Sequence, residues 1–206
     1  NENILKSLGR QIIKDQLQVW KQKEKAVIAI VGLPGVGKTE AATYFKEKIV
    51  PVVSFGQILN DYIDRRQLEH NEANHHQARL ALRKKYGQAA FAVLSEDKIR
   101  KALAKNSVAV IDGLRSWEEY LYLKKKLKNT RIFILALYAD KDKRYLRIAG
   151  RKYRNNFYGE ERDLDELIGI NMAPTIAYAD FLVKNNFSLP ELQNKLELVY
   201  REVYYS

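Results

Sequence analysis

Five apolar residues, Val27 to Val31, run directly into a glycine-rich loop that ends in Lys38 and Thr39, and this stretch constrains the chain more than any other. An apolar run that breaks into glycines reads as a buried strand feeding a tight loop. Gly32, Gly37, Lys38 and Thr39 meet the spacing G-x-x-x-x-G-K-[ST], and each residue type has a mechanical reason. Gly32, Gly35 and Gly37, with Val36 between the last two, let backbone N–H groups turn inward onto phosphate oxygens. Lys38 brings a point charge to the β- and γ-phosphates, and the Thr39 hydroxyl can ligate Mg²⁺. Residues 40–48 are good helix formers, so the loop opens a helix whose positive N-terminal dipole faces the phosphates. The stretch predicts nucleoside triphosphate binding.

A chain of 206 residues is long enough for one α/β domain with a real core and short for two. Its 46% hydrophobic and 30% charged residues mark it as globular rather than disordered. No stretch approaches the roughly eighteen uncharged apolar residues of a membrane span, and residues 1–20 lack a signal-peptide core, so a soluble cytoplasmic protein is expected. The absence of cysteine excludes disulfides, thiolate catalysis and Cys-ligated zinc. A net charge of +11 suits a nucleic-acid binder and equally an enzyme gripping two polyphosphorylated substrates. The placement of the arginines decides between them.

Taken in order, residues 1–25 carry Ile4, Leu5, Leu8, Ile12, Ile13, Leu17 and Trp20 near a 3.6-residue period, which predicts an amphipathic helix packed on the domain and a candidate oligomerisation face. Residues 51–55 form the second strand. A helix follows at that strand's C-terminal end, the edge where ligands bind in open α/β sheets, which makes Gln57 and Asn60 candidate substrate contacts. A helix over residues 71–86, stopped by Gly87, puts Arg79 and Arg83 four apart on one face, a clamp for a substrate phosphate or a solvated pair. His70, His75 and His76 carry no ligand spacing, and no metal is expected there.

Val108 to Ile111 form a buried strand that delivers Asp112 to the ligand edge, where an acid acts on the Mg²⁺ side of a phosphate cradle. Arg115, three residues on, is placed to reach a transferred or accepting phosphate. Ser116 and Glu119 fit a capping box for the next helix. After a further strand over residues 131–138, Asp140 is a fitting N-cap for a helix in which Arg144, Arg147, Arg151 and Arg154 fall within about 80° of one another. Leu146, Ala149 and Tyr153 gather on the opposite side. Such a stripe needs anions, either the acids of residues 160–166 or a polyphosphate; a reading helix or stacking platform for nucleic acid is lacking. A short last strand near residues 180–186 and a helix capped by Ser188 close the chain.

These residues resemble the nucleoside monophosphate kinase branch of the P-loop kinases over about residues 26–200. Arg147 to Arg151, Arg-Ile-Ala-Gly-Arg, is similar to the adenylate kinase stretch where the lid begins and where arginines touch the donor nucleotide. The loop, the segment from Val110 to Arg115, and Ala179-Asp180 with Asn185-Asn186 look closer still to an archaeal-type group related to adenylate kinase and dephospho-CoA kinase. The departures are local. Adenylate kinases have Asp-Gly-Phe-Pro-Arg where this chain has the shorter Asp112-Gly113-Leu114-Arg115, and they carry an Asp and an Arg where Gln57 and Asn60 stand.

The resemblance implies a P-loop NTPase fold of the α/β class: a five-stranded parallel sheet with helices on both faces, acceptor-binding helices over about residues 56–87 and a short lid over about 144–166. It implies a kinase transferring the γ-phosphoryl group of ATP, with Mg²⁺, to a nucleoside monophosphate or similar small phosphorylated acceptor. Lys38, Asp112, Arg115, Arg147 and Arg151 would carry catalysis. Gly32, Gly35, Val36, Gly37, Lys38 and Thr39 would hold ATP, and Thr39 and Asp112 the metal. Gln57, Asn60, Arg79, Arg83 and Arg115 would meet the acceptor. Two alternatives stay open: a dephospho-CoA kinase-like enzyme, and a nucleotide-dependent switch or ATPase that binds nucleic acid or a protein.

Overall fold

The computed structural model describes residues 8, 9, 11, 12, 24–150 and 159–206. Of the expected N-terminal amphipathic helix only residues 8, 9, 11 and 12 are described, all helical; the rest of that expectation, and its oligomerisation face, lies outside the described residues.

Five strands form one parallel sheet: β1 (Lys25–Val31), β2 (Val52–Ser54), β3 (Val108–Asp112), β4 (Thr130–Tyr138) and β5 (Phe181–Lys184), in spatial order β2-β3-β1-β4-β5. The central β1 is apolar throughout its buried length because it is covered on both faces, and its alternate residues serve two separate cores. Val27, Ala29 and Val31 face one layer with Ile99, Leu123 and Ile134, while Ala26, Ile28 and Ile30 face the other with Phe45, Leu196 and Val199. Truncating a fully buried residue such as Ile28 to Ala would cost about 2–5 kcal/mol.

The helices are α1 (Lys38–Glu47), α2 (Phe55–Asp64), α3 (Glu72–Tyr86), α4 (Ala90–Lys105), α5 (Trp117–Lys126), α6 (Lys141–Ala149), α7 (Glu160–Leu164), α8 (Met172–Ala177) and α9 (Leu189–Tyr205). A π-helical turn, Asp165–Gly169, continues α7. Local chemistry sets several ends. The Asn71 side chain accepts from the Asn74 N–H at the start of α3, Gly87 ends that helix at φ 79°, and Ser116 with Glu119 forms the expected capping box of α5.

Asp140 holds the N-cap position of α6 but makes no capping bond. Its carboxylate instead accepts from Asn186 Nδ2 at 2.6 Å, while the Asp140 N–H donates to Asn186 Oδ1 at 2.9 Å, which ties α6 to the end of β5. Tertiary pairing has displaced the cap that sequence position alone predicts. No described helix is long and apolar enough to cross a membrane.

The register fixes the functional edge. Ile30 pairs with Asp112, and Asp112 with Ser54, so β1, β3 and β2 all end on the same rim. From that rim β1 leads into the glycine loop, β3 into Arg115, and β2 into α2. Because β2 and β3 lie on one side of β1 and β4 and β5 on the other, this is also where the strand order reverses, the crevice that open α/β sheets use for ligands.

Candidate phosphate-transfer site

The loop between β1 and α1 is held in shape from behind. Gly35 and Gly37 take φ of 83° and 98°, values that L side chains rarely adopt. Space forbids a side chain as well: a Cβ on Gly35 would lie 2.7 Å from the Arg144 carbonyl oxygen, and one on Gly37 would collide with the Asn185 amide. That amide donates to the Val36 carbonyl at 2.9 Å, so the residue just after β5 braces the loop. Lys38 Nζ donates to the carbonyls of Gly32 and Leu33, the latter at 3.0 Å, which lays the ammonium across the loop.

The Arg144 and Arg147 side of α6 is the side turned toward the protein. Arg144 is 5% exposed and Leu146 is 73% exposed, so the helix buries its arginine and shows its leucine to solvent. The Arg144 guanidinium makes a two-pronged pair with Asp163, with one N–O distance of 3.0 Å, and donates to the Pro34 carbonyl at 3.1 Å. Arg147 Nη1 donates to the Gly35 carbonyl at 3.4 Å. Neither arginine lines the cleft described next; both brace the outer wall of the loop. One of the acids proposed to answer the stripe, Asp163, does so. Arg151, Arg154 and Tyr153 lie outside the described residues.

In front of the loop is a cleft of about 230 Å³. Gly35, Gly37, Lys38 and Thr39 form one wall, and Asp112, Gly113 and Arg115 form the floor at the end of β3. The far wall comes from the start of α2 with Phe55 and Leu59, from α3 with Arg79, and from α4 with Phe91. Burial pushes the Asp112 carboxyl up from its ordinary value, against the field of Lys38 and a 3.4 Å hydrogen bond from Ser54 Oγ. A hydroxyl at Thr39 and a carboxylate at Asp112 are the hard oxygen donors that suit Mg²⁺. Among the described residues no three His, Cys, Asp or Glu side chains come together, so a metal here would complete its shell from substrate oxygens and water.

Two charged residues of the cleft lie outside the candidate site residues of the sequence, Arg162 and Glu166. Glu166 is 3% exposed and pairs with Arg115 at 3.2 Å and Arg162 at 2.6 Å. Burial alone would raise its pKa, but the charges of Arg115, Arg162, Lys38 and Arg79 hold it down to about 2. Its position on the π-helical turn is in keeping with the frequent use of such turns at functional sites. The run of acids at residues 160–166 was its one sequence signal.

The residues expected to meet an acceptor are placed differently in detail. Arg79 reaches the cleft, but Gln57 and Asn60 do not line it: they stand on other faces of α2, and the Gln57 amide donates to Asp61 at 2.8 Å on the exposed side. Arg83 does not line the cleft; burial lowers its pKa, and its guanidinium carbon sits 5.7 Å from the Phe91 ring centre. Close by, Glu119 is fully buried, and desolvation pushes its carboxyl up to about 7 even though it accepts the N–H groups of Arg115 and Ser116 at 2.9 and 3.2 Å. The capping glutamate thereby also fixes the backbone at Arg115. His70 bonds with His75 and Asp64 and takes no part in the cleft.

A family model described as an AAA domain matches residues 28–166. A UPF0200 protein of Pyrococcus horikoshii is 30% identical over 181 residues, covering 86% of this chain and 97% of that protein. A UPF0200 protein of Methanocaldococcus jannaschii is 29% identical, covering 86% and 90%. Among solved structures, the shikimate kinase of Bacteroides thetaiotaomicron matches with a TM-score of 0.54 at 13% identity, covering 87% of this chain and 98% of that one. A gluconokinase of Sinorhizobium meliloti matches with a TM-score of 0.53 at 12% identity, covering 89% and 98%. These structural likenesses establish a P-loop kinase-like fold.

Proposed function

This chain belongs to the AAA-domain family and to the UPF0200 family, and from that premise we propose that it is an Mg²⁺-ATP-dependent small-molecule kinase acting on a phosphorylated, nucleotide-like acceptor. One observation carries the reading: Lys38, Thr39 and Asp112 share a single cleft with Arg79, Arg115 and Arg162. A triphosphate cradle alone would serve a switch or an ATPase. A cradle facing a second cationic wall over apolar Phe55, Leu59 and Phe91 offers counter-charge to a second, anionic substrate.

In this reading the loop N–H groups and Lys38 hold the donor phosphates, and Arg115 with Arg79 holds the acceptor's anionic group. Arg162 faces the charge that spreads onto the moving phosphoryl group. Mg²⁺, held through Thr39 and Asp112, would neutralise phosphate charge. Glu119 keeps the Arg115 backbone in place, and Asn185 keeps the loop open toward the cleft. Phosphoryl transfer is mostly positioning and electrostatics, so the chain needs no dedicated nucleophile. We assign Arg147 to bracing the loop rather than to touching phosphate, on its bond to the Gly35 carbonyl.

The test is a coupled ADP-release screen with Mg²⁺-ATP against all nucleoside and deoxynucleoside monophosphates and dephospho-CoA. Acceptor-dependent ADP release with a matching phosphorylated product is the expected result. Hydrolysis that ignores every small acceptor but rises with RNA or DNA would replace the kinase by a nucleic-acid-associated ATPase.

A further inference from the structure

A second cavity, of about 430 Å³, opens between α2, α3 and α4 and shares no lining residue with the first. Its volume falls in the range of small-molecule sites, roughly 300–1,000 Å³. The floor is apolar, made by Ile58, Leu82 and Leu94. The rim is cationic: Arg65 and Arg66 from the end of α2, Lys85 from α3 and Lys98 from α4. The acid on that rim, Asp61, already accepts from Gln57 at 2.8 Å and lies 3.9 Å from Lys98, so the rim keeps a surplus of positive charge.

The aromatic content makes the cavity more than a basic patch. Tyr62 and Tyr86 line it, and the Arg66 guanidinium lies over the Tyr62 ring at 3.7 Å from its centre. That pair presents a flat cationic stack, the kind of platform on which a nucleobase rests, and Tyr86 supplies a second ring. Arg66 is held in place by the chain beyond it: the Gln67 and Leu68 N–H groups bond back to the Asp64 and Ile63 carbonyls at 2.9 and 3.2 Å, with Gln67 in the left-handed region at φ 54°.

We propose that this cavity is a second binding site for a nucleoside phosphate, with the base on the Arg66–Tyr62 stack and Tyr86 and the phosphates among Arg65, Lys85 and Lys98. It stands whether or not the first cleft transfers phosphate. Bases stack on aromatic and guanidinium planes without needing sequence-specific hydrogen bonds, and phosphates seek the lysine and arginine rim, so one small ligand satisfies floor, platform and rim together.

The experiment is calorimetric titration of the full chain with ADP, repeated on the Lys85→Glu/Lys98→Glu double variant, on Tyr86→Ala, and with inorganic pyrophosphate in place of ADP. Both lysines are exposed, so folding is checked by an unchanged circular dichroism spectrum and melting point. Wild type is expected to show two ADP components. One should weaken at least tenfold in the double variant and severalfold in Tyr86→Ala, while the component of the glycine loop keeps its affinity.

A single component in wild type, or two components that both survive the charge reversals, overturns the site. Pyrophosphate that binds as tightly as ADP, with no loss in Tyr86→Ala, overturns the nucleoside assignment. A single-stranded oligonucleotide that displaces ADP from this site at a hundredfold lower concentration overturns the mononucleotide in favour of RNA or DNA.

Discussion

Replacing Glu166 by Gln tests the electrostatics of the cleft most severely, because this one carboxylate answers two arginines while almost fully buried. Its pKa falls from 4.5 to about 2 on folding. At ~1.36 kcal/mol per unit that is about 3 kcal/mol of stability. The group is depressed, so this stability is present above the unfolded pKa of 4.5 and is lost as pH falls toward about 2. Linkage leaves about 1 kcal/mol of it at pH 3. Glu166→Gln should therefore cost about 3 kcal/mol at pH 7, or roughly 6–12 °C in melting temperature for a chain of this size, and about half of that or less at pH 3. Urea denaturation of both proteins at the two pH values measures it. The variant also removes the carboxylate that pairs with Arg115 and Arg162, so added inorganic phosphate should raise its melting point more than that of wild type. Equal stabilities at pH 7, or a gap that does not shrink at pH 3, would show that Glu166 is not held ionised by this cluster.

Other perturbations have equally definite signs. Glu119 has its pKa raised to about 7, so the native state holds a proton that the unfolded chain has released, and stability falls as pH rises from about 4.5 through 7; urea midpoints between pH 5 and 8 should slope downward in wild type and flatten in Glu119→Gln. Ile49, 89% exposed, sits at φ 61° just after α1, so Ile49→Gly should relieve about 1 kcal/mol and raise the melting point by about 2–4 °C in calorimetry. Asn185→Ala leaves the Val36 carbonyl unpartnered, and should cost about 1–3 kcal/mol in stability and raise the KM for ATP more than it lowers kcat; a KM left unchanged would separate the brace from the loop's function.

What the sequence revealed was local, and what it hid was tertiary. The run from Val27 to Thr39 carries strand, loop and helix start within one stretch of chain, and the structure builds all three where the pattern puts them. The same holds for Asp112 at the end of β3 and for the Ser116–Glu119 capping box, where the partners are neighbours in the chain. Arginine periodicity on α6 was legible, but not its orientation. A stripe of charge on a helix ordinarily faces water, and here Asp163 and the loop carbonyls compensate Arg144 well enough to bury it and turn Leu146 outward.

The sequence marks Glu166 only as one of the acids near the arginine stripe and Arg162 not at all, because their place in the cleft comes from a chain that returns there about fifty residues after Arg115, which no local pattern encodes. Gln57 and Asn60 were placed by their position on the helix at the C-terminal end of β2, but helix rotation turns neither of them into the cleft. Phe55, Leu59 and Arg79 line that side of the cleft instead. Asn185 and Asn186 stood out in the sequence without a task, and the structure shows one bracing the loop and the other tethering Asp140.

If the glycine loop and the arginine wall act on one phosphoryl group, phosphorus-31 NMR of Mg²⁺-ATP turnover, run with the acceptor found in the screen, will follow that group from donor to acceptor. The γ-phosphoryl signal of ATP is expected to move to a new resonance on the acceptor with little inorganic phosphate, and Lys38→Ala is expected to abolish the transfer while its circular dichroism spectrum is unchanged. Release of inorganic phosphate alone, or transfer at a normal rate by the Lys38 variant, would contradict it.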